Sequence, residues 1–364
     1  MHMTKGGGAI SSSVPREKKI YLEALRIVAL FWVLYNHTGS YGWLLFREWS
    51  SFLSDAPSKL WLCINVILFV FCKISVSLFL MISGAVLLGK DEPISTLLRK
   101  RVSRFIILIV AVTAARGFFL HHIGHSSMQD ILTLWDFLRK AWSSTDICTY
   151  YLFLYLGFLF ALPLLRIIAQ KRNLIRYNIY VYILFQELLP VFQSALNLEN
   201  SNIYPYIGIF SMYYVLLLLG YYIDTLPDSF FSKKNCTIVS FAVCGMLLFS
   251  VGIAYWYSSV KNVIMPWLTC LVPTGMMYLF KYVYMSSSVS NKLVSRAILR
   301  VSPLVFGAFL LSGDIQWAVF PVYQHLILWM PAQLASLIWV LLIFAVSLCG
   351  CALLRCIPGV KKLI

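Results

Sequence analysis

Residues 26–37 read Arg-Ile-Val-Ala-Leu-Phe-Trp-Val-Leu-Tyr-Asn-His and lie in the first of ten long apolar runs of this 364-residue chain. Hydrophobic residues make up 60% of the sequence and charged residues 12%, whereas a soluble domain carries about 25% charged residues. Each run is long enough for a helix of about 20 residues to cross a bilayer. The sequence therefore predicts an all-α, polytopic membrane protein with about ten transmembrane helices.

The predicted spans follow one another along the whole chain. They cover residues 25–46, 60–89, 105–120, 150–169, 177–196, 203–223, 236–257, 263–284, 301–326 and 332–354. The ninth is interrupted by Pro303, Gly307, Gly313, Asp314 and Pro321. Broken helices of this kind are tolerated where they are buried in protein or line a cavity.

The distribution of basic residues predicts the topology. Of the 30 Lys and Arg residues, 22 lie in the N-terminal tail, the alternate loops and the C-terminal tail, and five lie in the opposite loops. Under the positive-inside rule this bias places both termini in the cytoplasm. The basic residues that give the net charge of +16 lie between apolar segments. We therefore expect membrane lipids and no nucleic acid as partners. We expect residues 1–19 to form a disordered cytoplasmic tail, 20–356 the transmembrane domain and 357–364 a second cytoplasmic tail.

Arg26 and His37 are the first candidates for chemistry. Eleven helical steps of about 100° bring both side chains to one face, about 16 Å apart along the axis. If Arg26 marks the cytoplasmic edge, His37 lies near the middle of the membrane, where a titratable group is a functional candidate. The alternative is a histidine hydrogen-bonded to a neighbouring helix. Glu23 precedes Arg26 by one turn and is expected to hold its guanidinium.

A basic cluster precedes the third span. Arg99, Arg101 and Arg104 are expected in a cytoplasmic loop that ends where Phe105 begins the helix. Arg101 and Arg104 are three residues apart and share a face, and their forked donors suit phosphate oxygens. The alternative is that the cluster is only a strong positive-inside anchor.

Other polar residues inside the spans support fewer conclusions. Ser83-Gly84 predicts close approach of a neighbouring helix. Lys73 and Arg116 are expected either to reach the interface or to line a polar cavity. Glu187 is followed by Pro190, which predicts a local break or cavity.

No metal site is expected. The nine cysteines include no CxxC pair, and most fall in apolar stretches where a thiol behaves as a small hydrophobe. His121, His122 and His125 form an HHxxH pattern in a short polar segment, without the His-Glu-x-x-His spacing of a helical zinc site.

Several of these motifs together resemble the acyltransferase-3 family of integral membrane acyltransferases. They are Glu23-Ala-Leu-Arg26 with Arg-x10-His, then Val76-Ser-Leu-Phe-Leu-Met-Ile-Ser83-Gly84, then Arg101-Val-Ser-Arg104, and Tyr150-Tyr151-Leu-Phe-Leu-Tyr155 running into Leu162-Pro163-Leu-Leu-Arg166. With the ten-span layout, the resemblance extends over about residues 18–356.

The resemblance implies transfer of an acyl group, commonly acetyl, from a cytoplasmic acyl-CoA to a hydroxyl of a surface glycan or its lipid-linked precursor. The family histidine corresponds to His37, its first-span arginine to Arg26, and its Arg-x-x-Arg to Arg101 and Arg104, with Arg99 as a further donor contact. Because the family includes bacterial surface-glycan O-acetyltransferases, the bacterial cytoplasmic membrane is the expected location.

The chain departs from the family pattern in two places. A histidine late in the chain is replaced by Ser312, and the aromatic motif before the fourth span has Cys148 and Tyr150 where the family often has His and Trp. Two alternatives to an acyltransferase stay open. One is a transporter or flippase with a path through Lys73, Arg116, Glu187 and the broken ninth helix, and the other is an inactive relative, which the missing late histidine favours.

Overall fold

The computed structural model describes residues 19–37, 59–122, 147–189, 212–256, 261–286 and 292–363. These residues form helices and short connections, and none of them lies in a β-strand. The α-helices are α1 Ile20–Asn36, α2 Lys59–Leu87, α3 Ile94–Leu97, α4 Ser103–His122, α5 Ile147–Gln170, α6 Arg172–Tyr182, α7 Met212–Asp224, α8 Lys233–Trp256, α9 Lys261–Ser286, α10 Lys292–Val301, α11 Val305–Ala318, α12 Phe320–Trp329, α13 Ala332–Leu354 and α14 Pro358–Leu363.

Within the described residues, five helical segments are long and apolar enough to cross a membrane. They are Val66–Leu87, Tyr150–Gln170, Lys233–Gly252, Lys292–Gln316 and Leu334–Leu354, and α7 is a shorter apolar helix. The all-helical membrane class is therefore confirmed. The count of ten stays a prediction, because parts of several predicted spans lie outside the described residues.

The helix bounds correct three expectations. α1 begins at Ile20, five residues before the predicted start, because Tyr21 and Leu22 already bury their side chains in the core. The basic run before α4 is helical, since the chain re-enters a helix at Ile94 and a π-helical turn joins α3 to α4 over residues 98–102. The predicted ninth span narrows to a 3₁₀ turn at Pro303 without leaving the helix and ends before Pro321, whereas Gly313 and Asp314 lie inside the unbroken α11.

α2 lies at the centre of the packing and contacts α1, α7, α8 and α9. Its crossing with α7 is a backbone contact: a Cβ on Gly84 would lie 1.9 Å from the Leu217 carbonyl oxygen, and one on Gly220 would lie 1.9 Å from that of Met81. Small residues allow membrane helices to approach in this way. The close approach predicted at Ser83-Gly84 is confirmed.

A buried charge cluster joins the beginning of α1 to the end of α7. The Asp224 carboxylate, whose side chain is 2% exposed, accepts hydrogen bonds from Lys19 Nζ at 2.6 and 2.7 Å and from the Tyr21 hydroxyl at 2.6 Å. Lys281 Nζ of α9 donates to the carbonyl oxygens of Ile223 at 3.2 Å and Asp224 at 2.9 Å. Because each buried charge is paired or hydrogen-bonded, the cluster fixes three helices at one end of the bundle.

Candidate active site

A cavity of about 290 Å³ lies among α1, α2, α4, α5 and α11. It brings together four side chains that the sequence singles out at separate positions, namely Arg26, His37, Arg101 and Arg104. Its other lining residues are aromatic, aliphatic or hydroxyl-bearing: Val33, Val76, Phe79, Ser83, Phe105, Tyr150, Tyr151, Tyr155, Val305, Phe306 and Phe309. A mostly apolar pocket with a few convergent polar groups is the usual form of a small-molecule site.

The Arg26 guanidinium, which lines the cavity, is hydrogen-bonded to two residues, Glu23 and Ser302. Its Nη1 donates to Glu23 Oε2 at 2.6 Å and to Ser302 Oγ at 3.4 Å. The Ser302 hydroxyl in turn donates to Glu23 Oε2. Ser302 lies in the 3₁₀ turn at Pro303, so this turn supplies one of the groups that orient Arg26.

His37 comes directly after the last residue of α1, with φ −104° and ψ 9°. Its backbone N–H donates to the Leu34 carbonyl at 3.1 Å. Within the described residues α1 ends at Asn36, so His37 caps the helix and is not inside it; residues 38–46 of the predicted first span lie outside the described residues. Nevertheless His37 and Arg26 line the same cavity, as a shared face predicts. Lys73 of α2 acts electrostatically on His37 and also lies 5.8 Å from the centre of the Phe69 ring.

The three arginines of the basic cluster have different surroundings. Arg101 and Arg104 line the cavity, whereas Arg99 is exposed to solvent and does not. Arg101 Nε donates to Glu92 Oε2 at 2.9 Å. Arg104 donates from Nε and Nη2 to the Leu363 carbonyl of α14, at 3.3 and 3.0 Å. The structure therefore brings Arg101 and Arg104 to the cavity and leaves Arg99 outside it.

Tyrosine hydroxyls and a serine add polar groups that the sequence did not single out as site residues. Tyr155 and Ser83 share a hydrogen bond, and Arg26, Arg101 and Arg104 all act electrostatically on Tyr155. Tyr150 is hydrogen-bonded to Tyr213. The spacing of Tyr151 and Tyr155 by four residues places them on one face of α5, which is the signal that could have identified them.

Glu92 is the other site residue that sequence reasoning missed. It accepts from Arg101 and also from Arg166 Nη2, at 3.2 Å. Burial raises the pKa of the Glu92 carboxyl, but hydrogen bonds and charges from Arg101 and Arg166 outweigh this and lower the pKa below its ordinary value. No local sequence pattern connects an acidic loop residue with an arginine 74 residues later.

The remaining sequence candidates do not line this cavity in the described part of the chain. Ser312, which replaces the late histidine, donates its hydroxyl to the Phe309 carbonyl at 2.7 Å. Glu187 belongs to a π-helical segment, Ile183–Leu188; its side chain, like those of Arg116, His121 and His122, lies outside the described residues, as does His125. Among the described residues, no group of three or more His, Cys, Asp or Glu side chains could hold a metal ion.

Comparison with known families agrees with this geometry. A family model described as an acyltransferase domain matches residues 19–356. A search of curated proteins and a search of solved structures each give no match. The family match extends from the residue before α1 to just beyond the end of α13 and includes every residue that lines the cavity. The chain therefore belongs to the acyltransferase-3 family of membrane acyltransferases.

Proposed function

We propose that the protein transfers an acyl group, in particular acetyl, from a cytoplasmic acyl-CoA to a hydroxyl of a cell-surface glycan or its lipid-linked precursor in a bacterial plasma membrane. The observation that carries the proposal is the cavity that Arg101, Arg104, the His37 imidazole and the positioned Arg26 guanidinium all line. Acyl transfer from a thioester to an alcohol needs these three kinds of group.

Arg101 and Arg104 are the proposed donor site. Coenzyme A carries several phosphates, and guanidinium groups bind phosphate through two parallel N–H donors. Both arginines belong to the turn and first residues of α4, beside the C-terminal helix α14. The exposed Arg99 is outside the cavity and is proposed only as a contact for the outer part of the nucleotide.

His37 is proposed as the general base. One ring nitrogen accepts the proton of the acceptor hydroxyl while the hydroxyl oxygen attacks the thioester carbonyl carbon. The carbon–sulfur bond then breaks, and the departing thiolate takes the proton from the imidazolium. The products are the ester and free coenzyme A, and His37 returns to its neutral form. Acylation of His37 itself, followed by transfer, is a two-step alternative that uses the same residue.

Arg26 is proposed to stabilise the negative charge that develops on the carbonyl oxygen. A fixed positive group inside a low-dielectric cavity is worth more than the same group in water. Glu23 and Ser302 hold the Arg26 guanidinium before the reaction begins, so little reorganisation is needed. The tyrosine rings that line the same cavity offer apolar faces and hydroxyls, a combination that suits a sugar ring.

Donor binding gives the direct test. Arg101→Ala and Arg104→Ala together should weaken acetyl-CoA binding to the purified, detergent-solubilised protein at least tenfold, because two charge-assisted phosphate contacts are lost. The matched control is Lys100→Ala, which removes an exposed charge from the same turn. Unchanged affinity in the double variant would return the cluster to the role of a topological anchor.

Turnover separates the proposal from its rivals. Membranes that contain the protein should release free coenzyme A from acetyl-CoA when the acceptor is present, and mass spectrometry of the surface glycans should lose an acetyl group when the gene is deleted. A transporter moves its substrate without consuming acetyl-CoA, and an inactive relative does neither.

A further inference from the structure

Glu92 lies between two guanidinium groups in the connection between α2 and α3. Its Oε2 accepts from Arg101 Nε at 2.9 Å and from Arg166 Nη2 at 3.2 Å. The Glu92 side chain is 15% exposed, so the contacts are not those of a fully solvated surface pair. Arg101 is thus held through its Nε atom, on the side of the guanidinium nearest its own backbone.

Arg166 fixes Glu92 relative to the helices. Its Nη1 donates to the Glu92 carbonyl at 3.1 Å, and its Nε donates to the Leu87 carbonyl at 3.3 Å. The Leu87 carbonyl is one of those that a helix leaves without an intrahelical partner at its C-terminus. Arg166 therefore joins the end of α2, the Glu92 backbone and the Glu92 carboxylate with one nearly buried guanidinium.

The geometry leaves the terminal nitrogens of Arg101 available to a ligand. Within the described part of the chain, the Arg101 side chain donates one hydrogen bond, from Nε to Glu92. The same side chain lines the cavity. A guanidinium binds a phosphate through two nitrogens in a fixed plane. A carboxylate that holds Nε sets the direction of that plane before the ligand arrives, which reduces the ordering that binding requires.

We propose that Glu92, held by Arg166, is a positioning residue that orients Arg101 toward the phosphate of the acyl donor. The inference rests on the proposed function, in which Arg101 binds that donor. It adds a residue and a mechanism of pre-organisation to the donor site. It also assigns to Arg166 a role that differs from topological anchoring. Arg166 holds the Glu92 carboxylate in place, and that carboxylate holds Arg101.

A simple charge effect predicts the opposite result. If Glu92 acted only as a negative charge near the donor phosphates, its removal would strengthen donor binding, because like charges repel. If Glu92 positions Arg101, its removal weakens donor binding although the site becomes more positive. The sign of the change therefore distinguishes the two roles.

The experiment measures acetyl-CoA binding to the full-length purified protein by isothermal titration calorimetry. Glu92→Ala should raise the dissociation constant about tenfold, whereas Glu92→Gln, which keeps an acceptor oxygen for Arg101 Nε, should stay within about twofold of the parent. The matched control is Asp91→Ala, which removes the same charge from the adjacent, exposed position and should leave affinity unchanged. Equal or tighter binding by Glu92→Ala overturns the inference.

A double variant separates positioning from a general effect on the fold. Glu92→Ala combined with Arg101→Ala should bind acetyl-CoA no more weakly than Arg101→Ala alone, since Glu92 acts through Arg101. A further large loss in the double variant overturns the inference, because Glu92 would then act through something else. If Arg101→Ala alone keeps the parent affinity, the proposed donor site fails first, which is a different result.

A second substitution keeps the test decisive if Glu92→Ala does not give a monodisperse protein. Glu92→Asp keeps the charge but shortens the side chain by one methylene, so its carboxylate no longer reaches Arg101 Nε in the same geometry. The dissociation constant should rise severalfold. Parent-like affinity in Glu92→Asp overturns the inference.

Discussion

His37 lies at the C-terminal end of α1, and its side chain lines the cavity. The residue lies outside the hydrogen-bonding pattern of α1, and its backbone N–H is already satisfied by the Leu34 carbonyl. Replacing its side chain therefore removes a polar group from the cavity without breaking a helical hydrogen bond. Its role in chemistry can be separated from a role in folding.

The first prediction concerns His37. If His37 is the general base, His37→Ala should lower acyl transfer by about 10²–10⁴-fold, the usual contribution of such a group. His37→Gln, which can hydrogen-bond but cannot take up a proton at neutral pH, should be about as inactive. Both are measured as release of coenzyme A, with thermal unfolding recorded in parallel. Near-parent turnover in His37→Gln would assign the residue a structural role.

The second prediction concerns the pH dependence that Glu92 creates. Its pKa lies below the ordinary value of 4.5 because Arg101 and Arg166 stabilise the carboxylate. A carboxyl whose pKa is lower in the folded state stabilises that state at any pH above its unfolded-state pKa. This stabilisation is lost as the pH falls through the folded-state pKa. The difference in unfolding temperature between the parent and Glu92→Gln should thus be constant from pH 7 to about 5 and shrink below 4.5. A difference that widens on acidification would contradict this sign.

At the scale of elements, the α2–α7 crossing controls one wall of the cavity. α2 carries Val76, Phe79 and Ser83 to the cavity, and its neighbouring Gly84 is in backbone contact with α7. The separation of these two helices is therefore set by Gly84 and Gly220, which have no Cβ at the crossing. Any added Cβ must push α2 and α7 apart.

The third prediction tests this crossing. Gly84→Ala should destabilise the protein by about 1–3 kcal/mol, the usual cost of overpacking a close contact, because the Cβ would lie 1.9 Å from the Leu217 carbonyl oxygen. The matched control is Gly157→Ala in α5, where nothing lies within 4 Å of the added Cβ. There the higher helix propensity of alanine should leave stability equal or slightly higher. Equal unfolding temperatures for the two variants would show that the crossing relaxes freely.

At the scale of the whole molecule, contacts join the segments that the positive-inside count places together. Lys19 before α1 meets Asp224 at the end of α7. Glu92 between α2 and α3 meets Arg166 near the end of α5, and Arg104 meets Leu363 near the C-terminus. These segments therefore lie at one end of the bundle, which is the arrangement that alternating spans require.

The fourth prediction concerns the side of the membrane on which this end lies. The 22-to-5 bias of Lys and Arg predicts that this end lies in the cytoplasm, together with both termini. A reporter that works only in the cytoplasm should be active when it is fused after residue 364. Single cysteines introduced within 124–146 should react with a membrane-impermeant reagent added from outside. External labelling at the C-terminus would contradict the ten-span topology.

The sequence by itself determined the class of the protein, the family and much of the local structure. Apolar runs are local properties of the chain, so α13 has the bounds that hydropathy predicts, residues 332–354, and α2 differs by only one or two residues at each end. The Arg-x10-His spacing predicted that both residues lie on one face, and both line the cavity because His37 directly follows the last residue of α1.

Only the tertiary structure decided which distant residues complete the site. Arg26 and Ser302 are 276 residues apart, and Glu92 meets Arg101 only because the chain turns back into a helix at Ile94. The tyrosines of α5 reach the cavity through packing against α2 and α4, which no periodicity encodes. Hydrophobic pattern specifies that a helix is buried, whereas the partners of its polar side chains depend on how the helices are arranged around one another.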